Sequence, residues 1–131
     1  MSAQKLGTVY FQLDYYPSSQ FAGLHLADKK GLYAAKGIEV IFLNPTAAGG
    51  EEPDLVVQRQ RELDMESGSS YSNFPAGIFA STQKISVGSA EQSVILAGIA
   101  RNVQVKAFAT IFQESPLCLA SLPGFDSPSF A

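Results

Sequence analysis

The sequence predicts an α/β domain in which a mostly parallel sheet lies between two layers of helices. Segments of strand length, rich in β-branched and aromatic residues, alternate along the chain with segments of helical periodicity. The first strand, helix and second strand fit within about forty residues, the length of a βαβ unit, which implies parallel strands joined by a right-handed crossover. The 131 residues suit one domain, which we take to span positions 1–131.

Composition excludes several classes of protein. Hydrophobic residues make up 46% of the chain and charged residues 16%, which is enough apolar material for a core without cross-links. One cysteine cannot form an internal disulfide, and one histidine cannot complete a conventional zinc site, so we expect no structural metal. The formal charge is −3 and no basic run exceeds Lys29 and Lys30, a pattern that excludes nucleic-acid binding.

No apolar stretch approaches the ~20 residues that a membrane-spanning helix needs. The N-terminus enters a strand-like run without the apolar region of a secretory signal. We therefore expect a soluble protein that is cytoplasmic as written, and extracytoplasmic if the chain begins further upstream.

The first strand is predicted over residues 8–13, because that segment is β-branched and aromatic and ends in a turn cluster around a proline. A helix follows. Ser18 or Ser19 can cap it, and Phe21 and Leu24 lie at helical spacing.

Two glycines shape the chain after this helix. Gly31 interrupts it, a further turn follows, and Gly37 is a natural left-handed stop. The second strand is predicted over 38–43 and is closed by Asn44 and a proline.

The middle of the chain is less regular. Pro53 favours the start of a helix through residues 54–63. Residues 66–75 are polar and serine-rich, a composition typical of a mobile loop, and 75–82 has the pattern of another short helix.

A second βαβ unit is predicted from the remaining elements. A short strand at 85–87 precedes Ser89 and Gln92, which have the spacing of a capping box and predict a helix through Ala100. Asn102 can end that helix, and 103–112 has the pattern of a further strand.

Several segments resemble a known family. They are Leu-Asp-Tyr-Tyr-Pro at 13–17, Ala-Asp-Lys-Lys-Gly-Leu-Tyr at 27–33, Lys-Gly-Ile-Glu-Val at 36–40, Ser-Val-Gly-Ser-Ala-Glu-Gln at 86–92, and Ile-Phe-Gln-Glu-Ser-Pro-Leu at 111–117. In order and spacing they resemble the family that joins thiamine-pyrimidine precursor synthases to SsuA-like ABC-transporter substrate-binding proteins, whose fold is a type 2 periplasmic-binding clamshell.

The resemblance covers only the N-terminal lobe of that clamshell. It implies that residues 49–74 are largely an insertion or loop, and that the irregular tail at 120–131 leads toward a second lobe. It also implies the partners, which are a small-molecule ligand and a second lobe or membrane transporter subunits. A lone lobe with an exposed strand edge is further expected to self-associate.

The candidate ligand site lies at the carboxyl ends of the predicted strands, because ligands of open α/β sheets bind in that crevice. Polar and aromatic residues fall at or just beyond those ends. The candidates are Asp14, Tyr15, Tyr16, Gln20, Asn44, Ser89, Glu91, Gln92, Phe112, Gln113 and Ser115.

These residue types suit a flat nitrogenous ring. Tyr15 can stack on a heteroaromatic ligand with ring centroids about 4.5–7 Å apart, and Asp14 or Glu91 can accept a hydrogen bond from an exocyclic amine. In the alternative interpretation Tyr15 and Phe112 are core residues, and Glu91 is a first-turn carboxylate that favours its helix.

Two other patterns have simpler explanations. Glu51, Glu52 and Asp54 suggest paired catalytic carboxylates, but acidic residues at a helix start are expected from the helix dipole alone. His25 lies inside a helix, where we expect a packed or surface histidine rather than a catalytic one.

An enzymatic function is the rival hypothesis. The synthases of the family hold pyridoxal phosphate on a lysine, with a histidine one turn later, and alignment places Ala90 and Val94 at those positions. Neither side chain can form a Schiff base or donate a proton, so we expect no catalysis and no cofactor. The sequence therefore predicts a solute-binding domain for a thiamine-pyrimidine-like or other nitrogenous heteroaromatic compound, linked to uptake. A fragment related to the synthases and a truncated non-functional product are the alternatives.

Overall fold

A computed structural model describes residues 7–46, 49–67 and 83–112. In chain order the strands are β1 (Gly7–Gln12), β2 (Ile38–Leu43) and β3 (Gln83–Gly88). The helices are α1 (Ala22–Lys29), α2 (Leu32–Ala35), α3 (Glu52–Ser67) and α4 (Gln92–Ala100), with one 3-10 turn at Ser19–Phe21. None of the described helices combines the length and apolar character needed to cross a bilayer.

The three strands form a parallel sheet in the order β2-β1-β3. Gly7 of β1 pairs with Ile38 of β2 on one side and with Gln83 of β3 on the other. The central strand is thus the first in the chain, and the predicted parallel α/β architecture is confirmed.

Helices cover both faces of this sheet. On one face, the Phe11 and Phe42 rings lie 6.1 Å apart and the His25 ring of α1 lies 4.6 Å from Phe42. On the other face, the guanidinium of Arg59 in α3 lies 5.9 Å from the ring centroid of Tyr10. Because successive side chains of a strand point to opposite faces, Tyr10 and Phe11 place α3 and α1 on opposite sides. The result is a three-layer αβα arrangement.

Helix α3 runs antiparallel to β3. At the amino end of β3, Lys84 Nζ lies 3.0 Å from Glu66 Oε2, near the end of α3. At the carboxyl end of β3, Val56 packs so closely that a Cβ on Gly88 would lie 2.9 Å from its Cγ2. Helix α3 therefore begins at the carboxyl edge of the sheet.

The most deeply buried apolar side chains are Leu13 and Phe21, both fully buried, and Leu63 of α3, which is 3% exposed. Leu13 directly follows β1 and Phe21 ends the 3-10 turn before α1. The tightest part of the described core therefore fixes the course of the chain out of the central strand.

The first half of the chain matches the sequence prediction closely. Strand β2 occupies the predicted residues, and Gly31 and Gly37 adopt left-handed backbone with φ of 67° and 73°. The predicted capping role of Ser18 is wrong: Ser18 is the N-cap residue of the 3-10 turn, but its side chain makes no capping hydrogen bond.

Helix α3 is longer than the predicted 54–63. It begins at Glu52, whose buried carboxylate accepts a hydrogen bond of 3.0 Å from the backbone N–H of Gly50, and it continues through Ser67. Most of the segment interpreted as an insertion is therefore a helix packed on the sheet. The predicted helix at 75–82 and the irregular tail lie outside the described residues.

The predicted strand at 103–112 is wrong, since this segment joins no sheet. Helix α4 ends as expected, with Asn102 at a φ of 62°. However, Arg101 Nη2 lies 2.7 Å from Asp54 Oδ2 at the start of α3, which holds the end of α4 at the carboxyl edge. A strand parallel to β3 has to begin at the amino edge of the sheet. The chain leaves α4 at the carboxyl edge, so it cannot continue directly into such a strand.

Candidate functional site

The strand order creates a crevice between the carboxyl ends of β1 and β3. From β1 the chain passes to α1 on one face, whereas from β3 it passes to α4, which packs on α3 at the other face. Where successive connections diverge to opposite faces of a parallel sheet, the loops separate and leave a ligand crevice. The two loops concerned contain Asp14 and Ser89.

Asp14 and Ser89 join across this crevice. Ser89 Oγ donates a hydrogen bond of 2.7 Å to Asp14 Oδ1 and accepts one of 3.3 Å from the backbone N–H of Asp14. Gln20 Nε2, at the start of the helical segment, also donates to Asp14 Oδ1 at 3.4 Å. Three residues predicted for the site are therefore brought together, although Asp14 and Ser89 are 75 positions apart.

Gln12, the last residue of β1, connects the loops that surround the crevice. Its buried side-chain amide donates to the backbone carbonyls of Leu13 at 3.0 Å and Asn44 at 2.9 Å. The backbone carbonyl of Gln12 accepts a hydrogen bond of 3.0 Å from the Ser89 N–H. It thereby links the loops that follow all three strands. Sequence reasoning missed Gln12, although an amide at the end of an apolar strand is a signal for such a role. Asn44 is exposed and contributes its backbone carbonyl.

Tyr15 and Tyr16 follow Asp14 and lie in solvent, 61% and 64% exposed. Their ring centroids are 5.9 Å apart in an edge-on arrangement with an interplanar angle of 76°. The alternative in which Tyr15 is a core residue is therefore wrong. Both rings are available to a ligand at the rim of the crevice.

The start of α4 differs from its prediction. The capping box is wrong, because the Ser89 side chain is bound to Asp14, and the N-cap residue is Glu91, whose side chain makes no capping hydrogen bond. A serine hydroxyl that bonds to another residue does not cap the first N–H groups of a helix. Glu91 and Gln92 are both exposed where α4 begins, beside Ser89.

The last three candidates, Phe112, Gln113 and Ser115, follow from the strand predicted at 103–112. Phe112 is 55% exposed in a segment that joins no sheet, so it does not lie at the end of a strand. Its alternative assignment to the core is wrong for the same reason. Gln113 and Ser115 lie outside the described residues.

Two cavities lie on the α3 side of the sheet. A small one of about 70 Å³ between α3 and the sheet is lined in part by Gln12, Arg59 and Ser86. A groove of about 530 Å³ at the start of α3 is lined in part by Glu51 and Arg101.

The carboxylates near this groove are individually engaged. Asp54 pairs with Arg101, Glu51 accepts a hydrogen bond of 3.4 Å from Thr46 Oγ1, and Glu52 is turned inward to Gly50. They thus form no catalytic pair. Within residues 7–46, 49–67 and 83–112, no three Asp, Glu, His or Cys residues group to hold a metal ion.

No protein-family model matches this chain. No curated protein and no solved structure matches it either.

Proposed function

We propose that this chain binds a small nitrogenous heteroaromatic molecule, of thiamine-pyrimidine type or related, in the crevice between β1 and β3. In this proposal it is the first lobe of a solute-binding protein linked to uptake, similar to the SsuA-like family. The observation that carries it is the Asp14 carboxylate, fixed across the crevice by Ser89, beside the exposed rings of Tyr15 and Tyr16.

Asp14 is prepared to receive a donor. Its two side-chain hydrogen bonds, from Ser89 and Gln20, both reach Oδ1. Among the described residues no donor occupies Oδ2, which leaves that oxygen for an amine or ring N–H of a ligand. Such a charge-assisted hydrogen bond is stronger than a neutral one.

Tyr15 supplies the apolar part of the site. A flat ring stacked on an exposed tyrosine gains about 1–3 kcal/mol by analogy with bases on aromatic side chains. Stacking fixes the plane of the ligand, and the carboxylate selects the ring edge that carries donors.

The proposal is one of binding without catalysis. The positions that the resemblance assigns to the synthase lysine and histidine hold Ala90 and Val94, which can neither form a Schiff base nor transfer a proton. The described residues also offer one wall of a site rather than an enclosure. Because pockets gain affinity by surrounding 70–90% of the ligand surface, this lobe alone should bind weakly and a second lobe should tighten binding.

The test is a titration of the chain with an aminopyrimidine and with the same ring without its amine, followed by NMR chemical shifts. We expect weak saturable binding of the aminopyrimidine, with shifts at Asp14, Tyr15 and Ser89. Asp14→Asn should abolish the preference for the amine, whereas Asp28→Asn, an exposed acid on α1, should leave it unchanged.

Tyr15 provides the second arm of this test. Tyr15→Ala should weaken binding by about 1–3 kcal/mol, while Tyr15→Phe should cost much less because it keeps the ring face. Since Tyr15 is largely exposed, the urea midpoint of both variants should stay near that of the wild type. Equal binding of both ring compounds, or shifts confined to the α3 side of the sheet, would contradict the proposal.

A further inference from the structure

Half of the large hydrophobic side chains that are exposed among the described residues lie in α4 and the segment after it. Leu96 and Ile99 of α4 are 58% and 51% exposed, and Phe108, Ile111 and Phe112 are 82%, 63% and 55% exposed. Exposed apolar side chains that follow one another so closely along the chain make this region a candidate for an interaction site. We call residues 103–112 the arm.

The arm has the sequence of a strand but no strand partner among the described residues. Its residues alternate between an aliphatic set and a mixed set that contains Gln104, Lys106 and Phe108. It has one charge and neither proline nor glycine, which are the features of segments that pair with copies of themselves.

The arm cannot continue directly into its own sheet as a parallel strand from where it starts. The contact of Arg101 with Asp54 holds it at the carboxyl edge, and a Cβ on Gly98 would lie 3.2 Å from Pro53 Cβ, so α4 and α3 are in close contact there. The outward N–H of Ser86 on β3 is already bonded to Gln60 Oε1 at 2.8 Å. The edge of β3 is therefore partly closed to any incoming strand.

We propose that the arm is a dimerisation element that pairs with the arm of a second copy of this chain in an antiparallel two-stranded ladder. A two-fold interface places the same segment on both sides, so a self-complementary strand suffices. This inference is independent of the ligand crevice, which lies between other loops.

The sequence of the arm favours one register, centred on Phe108. In that register Phe108 faces its own copy, Lys106 faces Thr110, and Val105 faces Ile111. Aromatic and β-branched cross-strand pairs stabilise such ladders, and no like charges oppose each other.

The first experiment is sedimentation of the full chain over a dilution series. We expect the wild type to change from monomer to dimer with increasing concentration. Phe108→Lys should remain monomeric, with an unchanged circular dichroism spectrum. Met65→Lys is the matched control, because Met65 on α3 is exposed to the same degree, 81% against 82%, and this variant should dimerise as the wild type does.

The second experiment tests which residues of the two arms face each other. In a Cys118→Ser background, Phe108→Cys should form a disulfide-linked dimer under mild oxidation, and Gln104→Cys should not, since only the central position meets itself. Equal cross-linking at both positions would indicate parallel strands and overturn the antiparallel ladder. A monomeric wild type, or a Phe108→Lys variant that still dimerises, would overturn the proposal itself.

Discussion

Two strand–helix–strand patterns are predicted as βαβ units, and only the first of them becomes a crossover; the other crossover of the sheet joins β2 to β3 through α3. After β1, helices α1 and α2 lead the chain back so that β2 begins opposite the start of β1. After β3, helix α4 has a comparable length, but its far end is held against the start of α3 by Arg101 and Asp54. The first pattern yields a strand paired with β1 along its whole length, and the second leaves the arm in solvent.

The difference lies in where the helix ends rather than in the strand sequences. A parallel neighbour has to start at the amino edge of the sheet, and the chain reaches that edge only if its helix packs along a sheet face. Helix α1 does so through His25 and Phe42. Helix α4 instead contacts helix α3 and does not bring the chain to the amino edge. The strand propensity of the arm cannot compensate for this position.

The sharpest test of this comparison is a pair of phenylalanine truncations. Phe21→Ala, in the fully buried part of the first crossover, should lower the free energy of unfolding by about 3–5 kcal/mol through lost burial and a cavity. Phe112→Ala, in the arm, should change it by no more than about 0.5 kcal/mol. Urea denaturation at low protein concentration measures both, and similar losses would show that the arm is packed in solution.

A glycine pair tests the α3 side of the second pattern. Gly88→Ala should destabilise the fold by about 1–3 kcal/mol, because the new Cβ would lie 2.9 Å from Val56 Cγ2 and 3.1 Å from the Gln12 carbonyl oxygen. Gly23→Ala on α1 meets nothing within 4 Å and should stabilise by about 0.5–1 kcal/mol. Thermal unfolding of both variants checks the signs, and a stabilising Gly88→Ala would contradict this packing of α3 on β3.

Gln60 tests whether a side chain substitutes for a strand on the outer side of β3, where the described residues provide none. Gln60→Leu removes the acceptor of the Ser86 N–H and should cost about 1 kcal/mol. Gln60→Glu retains that acceptor but replaces the donor to Asp64 Oδ1 with a second carboxylate, so it is a control for the hydrogen bond and not for stability. Hydrogen exchange at Ser86 should accelerate in Gln60→Leu alone. Unchanged exchange would mean that this N–H is protected by something other than Gln60.

The smallest expected effect concerns the amino end of β3. The hydrogen bond to Glu66, and then its negative charge, raise the pKa of Lys84 above its ordinary value. A raised pKa in the folded state means that the contact stabilises at neutral pH and that this contribution is lost as the pH rises through the alkaline titration of Lys84. Above neutral pH, the difference in melting temperature between wild type and Lys84→Gln should therefore shrink as the pH rises through the alkaline titration of Lys84. A difference that shrinks near neutrality would assign the effect to another group.

Local signals predicted the first half of the fold well. Apolar strands, two glycines in left-handed backbone and short connections determine β1, α1, α2 and β2, and all of these act over a few residues. The meeting of Asp14 with Ser89 was also predictable, because the carboxyl ends of parallel strands share one edge.

The errors have a common physical cause, which is competition between partners distant in sequence. Ser89 suits a capping box, yet its hydroxyl bonds to Asp14, which comes from the other end of the described chain. Arg101 looks like an ordinary helix-end cation, yet it pairs with Asp54 at the start of α3, beside the close contact of Gly98 with Pro53, so the arm starts at the carboxyl edge. Neither pairing can be predicted from a window of neighbouring residues, because the partners are far apart in sequence.

The position of β1 at the centre of the sheet has a consequence for the synthesis of the protein. Its first neighbour, β2, begins 31 positions after Gly7, but its second neighbour begins at Gln83, a further 45 positions on. At about 5–20 residues per second, the ribosome needs roughly 2–9 seconds to make that interval. During this time a nascent β1–β2 pair presents the open side of an apolar strand, which is a template for pairing with other chains. The order of strands therefore makes the speed of translation between β2 and β3 a determinant of how much chain is lost to aggregation.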